Sequence, residues 1–551
     1  MLVGLLSLGL LPIVSAQTWC GKVYMANETV VPPGGQFPVP VTSTSPLLAL
    51  RCNPVLRPFL PDDLATPASN GVIVDALVRY SHIAGAQPLA LPSAHEPLLH
   101  VSIALDGRPL ASGTVPLNGS VVIPFALAAL EARLEPYNLT CTATLPSSAE
   151  KFSSVPTTLT YLPTPPPSIG SVTKLDLRSG ALLAKAVHQP GPYEAVFPLG
   201  FYTNFGGYLE GNDTVVEVLK SQGINVIHPI PTFDNLTAFN LMVDKMEQLG
   251  IWLMYDMRWT YMNATAVTEE VTPLRNRTNL LLYYTGDEPD GSEDPMTAPA
   301  RASALLNELD PYRPSSLVLN CYDYYFSEYA AGTPIVMQDT YPIGINATYS
   351  VEWNTPCTDI KGDCGCDDCV GDFEDIRVRM ELFAERLEAL GWERGAAVWT
   401  VPQGFGGSEY WSRAPTGAEW LVQNIISLNA GALGSISWND PTTDDIKAAA
   451  SALSFALPSL TPFILSSPLA SPPVQFRHVV TSDRLDFGVW TKGAESLVVA
   501  ANLNYFSIEA DLSVVGLKGK SARTVFNGGA RFVGDRFEFG SVQSGAWIFG
   551  V

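Results

Sequence analysis

A chain of 551 residues is too long for one ordinary domain, so about two to four domains are expected. It has 32 basic and 54 acidic side chains, which give a formal net charge of −22. That charge argues against nucleic acid and anionic membranes as partners, because both attract positively charged proteins.

Residues 1–16 are predicted to be a secretory signal peptide, because a short apolar segment ends in the small residues Val14-Ser15-Ala16. No later apolar run in the sequence has the length of a membrane-spanning helix. We therefore expect a secreted, extracellular protein with no membrane partner. Eight Asn-x-Ser/Thr sequons agree with this expectation and predict N-linked glycans. They lie at Asn27, Asn118, Asn138, Asn212, Asn235, Asn263, Asn276 and Asn346.

The eight cysteines are even in number, and disulfides are the default state outside the cell. Cys357, Cys364, Cys366 and Cys369 have a spacing that loosely resembles a zinc site, but secretion favours disulfides that staple a long loop. Cys321 is either the partner of a distant cysteine or a buried thiol. The histidines are too few and too scattered for a ligand set, so the sequence predicts no metal site and no cofactor.

Residues 17–161 contain short β-prone runs broken by Pro, Gly and Ser, which predicts an N-terminal β-sandwich-like domain. A helical pattern over 126–134 is interpreted as a local insertion. Residues 162–195 begin with a proline-rich run and are predicted to be a stiff linker and a segment on the surface of the next domain. Residues 463–551 alternate apolar and polar side chains and predict a C-terminal β-sandwich.

Between these regions, residues 196–462 alternate strand and helix patterns. Eight apolar runs are predicted to be strands: 196–202, 225–230, 251–256, 280–285, 316–320, 335–339, 396–401 and 434–438. Helical patterns follow most of them, and the last helix is expected to end at Leu457, before Pro458. This count and length predict a central (β/α)8 barrel of the TIM type. A doubly wound open sheet is the alternative, but residues 203–207 are not the glycine-rich phosphate loop that it requires.

The fourth predicted strand is the most informative. Its apolar run, 280–284, is typical of a strand buried on both faces, and Asp287 and Glu288 follow it before Pro289 ends the strand. Acidic side chains are costly at the end of a buried strand unless they face a cavity. The two acids are therefore candidate catalytic residues, whereas Asp290 is interpreted as a turn or helix-cap residue.

Barrel enzymes place their chemistry at the carboxyl ends of the strands, so those ends predict the site. Acids, amides and aromatic side chains are concentrated there, and this combination points to carbohydrate. The candidate substrate-binding residues are Tyr202, Asn204, His228, Asp256, Arg258, Tyr322, Tyr341, Trp399, Gln403 and Trp438. Structural alternatives exist for some of them: His228 as a core histidine, Asp256 and Arg258 as an internal ion pair, and Trp438 as a plug of the barrel.

Three motifs mark the predicted strand ends: Thr-Gly-Asp-Glu-Pro up to Pro289, Thr-Tyr-Pro after Asp339, and Thr-Val-Pro-Gln after Trp399. Over residues 196–460 the chain resembles the barrel core of secreted glycoside hydrolases. The resemblance implies an O-glycosyl hydrolase with Glu288 as acid/base and flanking sandwiches as accessory domains. It implies no particular substrate.

The resemblance leaves three mechanisms open. In the large clan of retaining barrel hydrolases a Glu on the seventh strand is the nucleophile, but here that strand ends in Gln403 and no acid follows until Glu409. In hexosaminidases of families 20 and 123 an Asp-Glu pair on the fourth strand acts with the 2-acetamido group of the substrate, which implies orienting roles for Asp287 and Tyr341. In some α-glycosidases a carboxylate on the fourth strand acts with an Asp on the sixth, here Asp339.

We expect Asp339 to face Glu288 across one pocket, because backbones two strands apart are separated by roughly 10 Å and their side chains can converge. Asp287 is expected to be a supporting acid, since adjacent residues of a strand tend to point to opposite faces. The sequence thus predicts a glycoside hydrolase with Glu288, Asp287 and Asp339 as catalytic residues. The alternative is a non-catalytic carbohydrate-binding protein on an inactive barrel, which the absent acid on the seventh strand favours.

Overall fold

The computed structural model describes residues 17–66, 70–90, 98–146, 150–187, 189–518 and 521–550, so the predicted signal peptide lies outside the described residues. Eight parallel strands at the centre close into a barrel. They are β1 (Leu199–Asn204), β2 (Val226–Ile230), β3 (Trp252–Asp256), β4 (Leu280–Asp287), β5 (Ser315–Leu319), β6 (Ile335–Gln338), β7 (Ala397–Thr400) and β8 (Ser435–Asp440). The predicted barrel is confirmed, and the open doubly wound sheet is excluded.

A helix follows each strand along the chain, as the barrel topology requires. The helices are α1 (Thr214–Ser221), α2 (Leu236–Leu249), α3 (Ala264–Leu274), α4 (Ala298–Leu309), α5 (Phe326–Ala330), α6 (Glu374–Leu390), α7 (Gly417–Asn429) and α8 (Asp444–Ile464). Helix α6 ends at Gly391, whose φ of 77° is a left-handed conformation that glycine adopts without steric cost.

Helix α8 continues past its predicted end at Leu457 and includes Pro458 and Pro462. Proline removes one helical hydrogen bond and crowds the preceding turn, so an early end was the expected outcome. The last turns nevertheless bury Leu460 and Phe463 in the core that α7 and α8 share with the barrel. Tertiary packing therefore outweighs the local cost of the prolines.

The barrel strands alternate between two cores, because successive side chains of a strand point to opposite faces. Phe201 of β1 and Tyr283 of β4 point outward and pack with the helices. Tyr202, Tyr284 and Trp399 belong to the core inside the barrel. The interior is filled by side chains, so a ligand has access only at the ends of the strands.

Two antiparallel sheets form the N-terminal β-sandwich. One contains, in order, Ala86–Pro88, Thr42–Pro54, Gly71–Ser81 and Ser120–Pro124. The other contains Glu150–Ser153, Tyr137–Leu145, Leu98–Leu105 and Arg108–Pro116, with Thr157–Leu159 beside Tyr137–Leu145. The predicted helix over 126–134 is wrong: only a 3₁₀ turn, Leu127–Ala129, forms there. Within residues 126–134 only Leu127 is fully buried, and Leu134 is 61% exposed, so too few side chains are buried to stabilise a helix.

The predicted linker contains a further sheet. Ser171–Asp176, Ala181–Ala186 and Glu194–Val196 form it together with Leu56–Arg57. Lys174 is buried there and pairs with Asp63 at 2.8 Å. The prediction of a surface segment is therefore wrong for these strands. The run Ser171–Asp176 is buried on both faces, so it lacks the alternation that would have identified it from sequence.

Two antiparallel sheets also follow the barrel. The first contains Val474–Val480, Leu485–Lys492, Glu495–Asn502, Ser544–Phe549 and Ala522–Gly528, and the second contains Ile508–Asp511, Arg536–Phe539 and Arg531–Val533. Val499 and Trp490 of the first sheet pack into the core of α7 and α8. This contact fixes the C-terminal β-sandwich against the outside of the barrel.

The cysteines are paired in four disulfides, as predicted in preference to zinc. The pairs are Cys20–Cys321, Cys52–Cys141, Cys357–Cys364 and Cys366–Cys369. The first pair joins the N-terminal segment to the end of β5, and the last two lie in the loop between β6 and α6. None of the helices in the described part of the chain has the length and hydrophobicity needed to cross a bilayer.

Candidate active site

The carboxyl end of β4 presents two adjacent acids to the mouth of the barrel. Asp287 is the last residue of the strand, and Glu288 follows it with a φ of 50°. A left-handed backbone is uncommon for a residue with a side chain and is often found at functional sites. The register of β4 against β5 also shifts between Tyr284 and Asp287, so the alternation is interrupted, and both half-buried carboxyl groups lie at the mouth, where Asp287 pairs with Arg258 and Glu288 with Asn320.

Glu288 and Asp339 meet at the side-chain amide of Asn320, which directly follows β5. The Asn320 Nδ2 donates to Glu288 Oε1 at 3.0 Å and to Asp339 Oδ1 at 3.2 Å. Because both oxygens lie within 3.2 Å of one nitrogen, they are closer together than the roughly 6.5–9.5 Å that separates the carboxyls of inverting glycosidases. We call Glu288, Asn320 and Asp339 the carboxyl-pair side of the mouth.

Burial raises the pKa of Glu288 well above its usual range, and the negative charge and hydrogen bond of Asp339 raise it further. Burial also raises the pKa of Asp339, which the hydrogen bond from Glu288 opposes. The two pKa shifts are explained if the pair holds a single proton, which is bound to Glu288 and forms a hydrogen bond to Asp339. The raised pKa favours the protonated form of Glu288, which is the form that can donate a proton.

Arg258, from the end of β3, occupies the other side of the mouth. Its guanidinium pairs with Asp256 at 2.7 Å and with Asp287 at 2.6 Å. The hydroxyl of Tyr284 also donates to Asp287. Burial raises the pKa of Asp287, and the positive charge of Arg258 opposes that rise. We call Asp256, Arg258 and Asp287 the ion-paired side.

Asp290 ties the loop after β4 to the end of β5, so it does more than cap a turn. Its buried carboxylate accepts hydrogen bonds from the backbone N–H groups of Gly291, Asn320 and Cys321, at 3.0, 3.2 and 2.9 Å. Burial raises its pKa to about 7 in spite of these bonds. This tie holds Asn320 in place between the two carboxyl groups.

Tyr202, His228 and Asp256, three of the predicted substrate-binding residues, form a buried layer beneath the mouth. His228 is completely buried, and its Nε2 contacts Asp256 Oδ2 at 2.8 Å. The ring of Tyr202 lies 4.0 Å from that of His228. None of the three side chains is accessible from the mouth, so the prediction of direct substrate contact is wrong for them. They form the floor that supports Arg258.

Trp399 and Gln403 are also structural, contrary to the prediction. Trp399 is completely buried inside the barrel and packs against Gly434, where an added Cβ would lie 2.5 Å from its ring. Gln403 is completely buried as well. Its Oε1 accepts from the N–H of Ile343 at 3.0 Å, and its Nε2 donates to the Ile343 carbonyl oxygen at 3.0 Å. Both ends of the amide are thus used by the backbone.

The remaining predicted binding residues lie at the mouth. Asn204 and Trp438 are half-buried; Asn204 accepts a hydrogen bond from Asn439 at 3.2 Å, and the ring of Trp438 lies 5.1 Å from the Arg258 guanidinium. Tyr322 is half-buried after β5. Tyr341 is 6% exposed, and the charges of Asp339 and Glu288 add to the effect of burial in raising its pKa. Contact between these four side chains and a ligand stays a prediction.

Two further residues complete the carboxyl-pair side, and sequence reasoning assigned neither to the site. The Trp19 indole Nε1 donates to Asn320 Oδ1 at 3.0 Å. Arg379 of α6 is buried and donates to the backbone carbonyl of Asn320 and to that of Asp367. Asn320 was recognisable as a polar residue at a strand end. Trp19 had only an indirect signal, the neighbouring Cys20, which predicts a link to another part of the chain.

Neither a protein-family model nor a curated protein matches the chain. Among solved structures it is similar to an Anoxybacillus alpha-amylase, with 12% identity and a TM-score of 0.40 over 63% of this chain and 91% of that one. It is also similar to alpha-galactosidase I from Mortierella vinacea, with 10% identity and a TM-score of 0.39 over 64% of this chain and 96% of that one. A third similar structure is a GH30 endoxylanase from Clostridium papyrosolvens, with 8% identity and a TM-score of 0.37 over 64% of this chain and 97% of that one. Similarities of this size assign no activity and no substrate to the chain.

Proposed function

We propose that the protein is an extracellular glycoside hydrolase, with Glu288 as its acid/base and Asp339 as the partner carboxyl group. The observation that supports this most is the Glu288–Asn320–Asp339 arrangement at the carboxyl ends of adjacent barrel strands. One amide brings two carboxyl groups together, and their pKa values are raised. Such a pair provides the acid that cleavage of a glycosidic bond requires.

In the proposed reaction, protonated Glu288 gives its proton to the glycosidic oxygen as the bond from that oxygen to the anomeric carbon breaks. Positive charge then develops on the anomeric carbon. Asp287 and Asp339 are the carboxylates available to stabilise that charge, or one of them to bond to it. Water adds to the anomeric carbon and returns a proton to Glu288, which restores the enzyme. The closeness of Glu288 and Asp339 argues against an inverting reaction through a water between these two groups.

Extracellular location is part of the proposal. The sequons supply one argument, because all eight asparagines are exposed: Asn27, Asn118, Asn138, Asn212, Asn235, Asn263, Asn276 and Asn346. Glycans can therefore be attached there without disturbing a core. The four disulfides supply a second argument, since such bonds persist in oxidising compartments.

The test replaces the acid with its uncharged analogue, Glu288→Gln. We expect a normal fold and a loss of turnover of roughly 10²–10⁴-fold, the usual contribution of general acid–base help. Turnover is measured on a panel of chromogenic glycosides and fungal and plant wall polysaccharides. Glu269→Gln is the matched control, because Glu269 is exposed on α3 and lies outside the mouth, and it should retain full turnover.

Two outcomes would contradict the proposal. Full activity of Glu288→Gln on a substrate that the wild type cleaves would remove Glu288 from the mechanism. Saturable binding of a polysaccharide by the wild type, without release of any product, would favour a non-catalytic carbohydrate-binding protein. The seventh strand supplies no acid to the mouth, because Gln403 bonds the Ile343 backbone and Glu409 is exposed, and this absence remains the argument for that alternative.

A further inference from the structure

The N-terminal segment, residues 17–24, contacts the loops that follow β4 and β5 although it is far from them in sequence. Its strands Thr18–Trp19 and Lys22–Val23 pair with each other. The Cys20–Cys321 disulfide joins it to the residue after Asn320. Lys22 is buried and pairs with Asp367 at 2.6 Å and Asp368 at 2.7 Å. We call residues 17–24 the N-terminal strap.

The strap places the Trp19 indole against Asn320, which bridges Glu288 and Asp339, and against Gly291. Its ring packs on Gly291, where an added Cβ would lie 2.3 Å from the ring, so only glycine leaves room for it. The Cys20 N–H donates to the Gly291 carbonyl oxygen at 3.4 Å. Trp19 Nε1 donates to Asn320 Oδ1 at 3.0 Å. Each of these contacts fixes the position of the indole relative to Asn320.

The hydrogen bond from Trp19 determines which end of the Asn320 amide faces the carboxyl groups. An indole N–H can only donate, so it must meet the amide oxygen. The amide nitrogen then points to Glu288 and Asp339 and donates to both. A reversed amide would place two donors together at Trp19 and would place its oxygen against the carboxyl pair. Trp19 thus keeps the amide in one orientation in every protonation state of the pair.

We propose that Trp19 is a positioning residue of the active site, whose indole N–H holds the Asn320 amide so that it bridges Glu288 and Asp339. This inference rests on the proposed function for its kinetic consequences. Its structural part, the control of the carboxyl pair by Trp19, can be measured without turnover.

The test variant is Trp19→Phe, which keeps an aromatic ring on Gly291 and removes the N–H donor. Donation from the amide favours ionised carboxyl groups, so weaker or reversed donation raises the pKa values of the pair. We expect the pH profile of kcat/KM to shift to higher pH. We also expect kcat to fall roughly 3–10-fold, the effect of one hydrogen bond between neutral groups. Trp353→Phe is the matched control, since the Trp353 indole donates to the Tyr410 hydroxyl at 2.6 Å and not to Asn320.

A measurement without substrate separates this inference from the proposed function. A water-soluble carbodiimide with an added amine labels protonated carboxyl groups, and peptide mass spectrometry gives the pH midpoint of labelling at Glu288 and Asp339. We expect higher midpoints in Trp19→Phe and unchanged midpoints in Trp353→Phe. If no glycoside is cleaved but the midpoints move as expected, the hydrolase proposal fails and the positioning role of Trp19 stands.

A double-mutant cycle with Asn320→Ala tests whether Trp19 acts through Asn320. In the Asn320→Ala background the amide is absent, so adding Trp19→Phe should leave the labelling midpoints and the pH profile where Asn320→Ala alone puts them. Equal effects of Trp19→Phe in both backgrounds would overturn the inference. Unchanged midpoints in Trp19→Phe alone, with circular dichroism matching the wild type, would also overturn it.

Discussion

On one side of the barrel mouth carboxylates meet an arginine, and on the other side two carboxyl groups meet an amide. Arg258 pairs with both Asp256 and Asp287 on the ion-paired side. Asn320 donates to both Glu288 and Asp339 on the carboxyl-pair side. The two sides are adjacent, because Asp287 and Glu288 are consecutive residues.

The difference between the two sides is one of charge. Burial acts to raise the pKa of Asp256, but the charges of Arg258 and His228 outweigh it and leave that pKa lowered. No cation pairs directly with Glu288 among the described residues, and its pKa is raised. A cation fixes a negative charge, whereas a neutral amide holds two carboxyl groups together and leaves a proton between them. The ion-paired side is thus suited to stabilise charge, and the carboxyl-pair side to transfer a proton.

Removing the arginine should produce the largest effect on stability. Arg258→Met keeps much of the side-chain volume and leaves Asp256 and Asp287 without their cation. Breaking a buried ion pair by removing one partner costs roughly 3–5 kcal/mol, because the remaining charge is uncompensated. We expect a decrease of that size in the free energy of unfolding at pH 7, measured by urea denaturation.

The same variant should depend on pH in a defined direction. Because the pKa of Asp256 is lowered in the folded state, its ion pair contributes stability above the unfolded pKa of about 3.9, and this is lost as pH falls through the folded value. The difference between wild type and Arg258→Met should therefore shrink below about pH 4. Arg531→Met is the control, because the Arg531 side chain is 72% exposed and its pair with Glu538 should contribute less than about 1 kcal/mol. Equal decreases in the free energy of unfolding for Arg258→Met and Arg531→Met would contradict the view that the buried ion pair contributes more than the exposed one.

A smaller effect is expected from Tyr284→Phe, which removes the hydroxyl that donates to Asp287. A hydrogen bond to a charged group contributes about 1.5–3 kcal/mol to the free energy of unfolding. The bond from Tyr284 also lowers the pKa of Asp287, so its loss should raise that pKa and move the acidic limb of the activity profile to higher pH.

Tyr283→Phe is a matched control for this prediction. Tyr283 is equally buried, and its hydroxyl donates to Asp310 at 2.7 Å on the outer face of the same strand. Urea denaturation should show similar decreases in the free energy of unfolding for the two variants. Only Tyr284→Phe should shift the pH profile of activity. A shift in both variants would mean that the profile reports general loosening of β4 and not the charge of Asp287.

The barrel could be predicted from sequence because each strand is a short apolar run between helical patterns. All eight observed strands overlap the predicted ones. Asp287 and Glu288 could also be recognised as candidate site residues, because acidic side chains at the end of a buried strand are costly unless they face a cavity. The strands of the predicted linker and the extension of α8 depend on burial against other elements, which the local pattern does not report.

The arrangement of the site was less predictable. Nothing in the residues around Glu288 indicates its left-handed φ or the register shift before Asp287, and these two irregularities accompany the placement of two consecutive acids at one mouth. Trp399 and Gln403 have the residue types of a sugar-binding site, but their side chains are enclosed. Trp19 reaches Asn320 across 301 residues of sequence, so its contact follows from the fold and a disulfide and not from any local pattern.

The smallest predicted effect concerns the carboxyl-pair side and the variant Asp339→Asn. Because the pKa of Glu288 is raised in the folded state, the stability of the wild type should fall as pH rises from the unfolded value of about 4.3 toward the folded value. Asp339→Asn removes the negative charge that raises this pKa. We therefore expect a lower pKa of Glu288, a lower pH midpoint of its carbodiimide labelling, and a shallower decline of stability. Each unit by which the pKa falls corresponds to about 1.4 kcal/mol.

Urea denaturation at several values between pH 4 and pH 8 measures that decline, a window that contains the usual carboxyl pKa of about 4.3. Asp359→Asn is the control, because Asp359 is an exposed acid in the loop between β6 and α6 and should leave the slope unchanged. Burial alone would raise the pKa of Glu288 whether or not Asp339 is charged. An unchanged labelling midpoint in Asp339→Asn would therefore show that the two carboxyl groups titrate independently, and the proton would then belong to Glu288 alone.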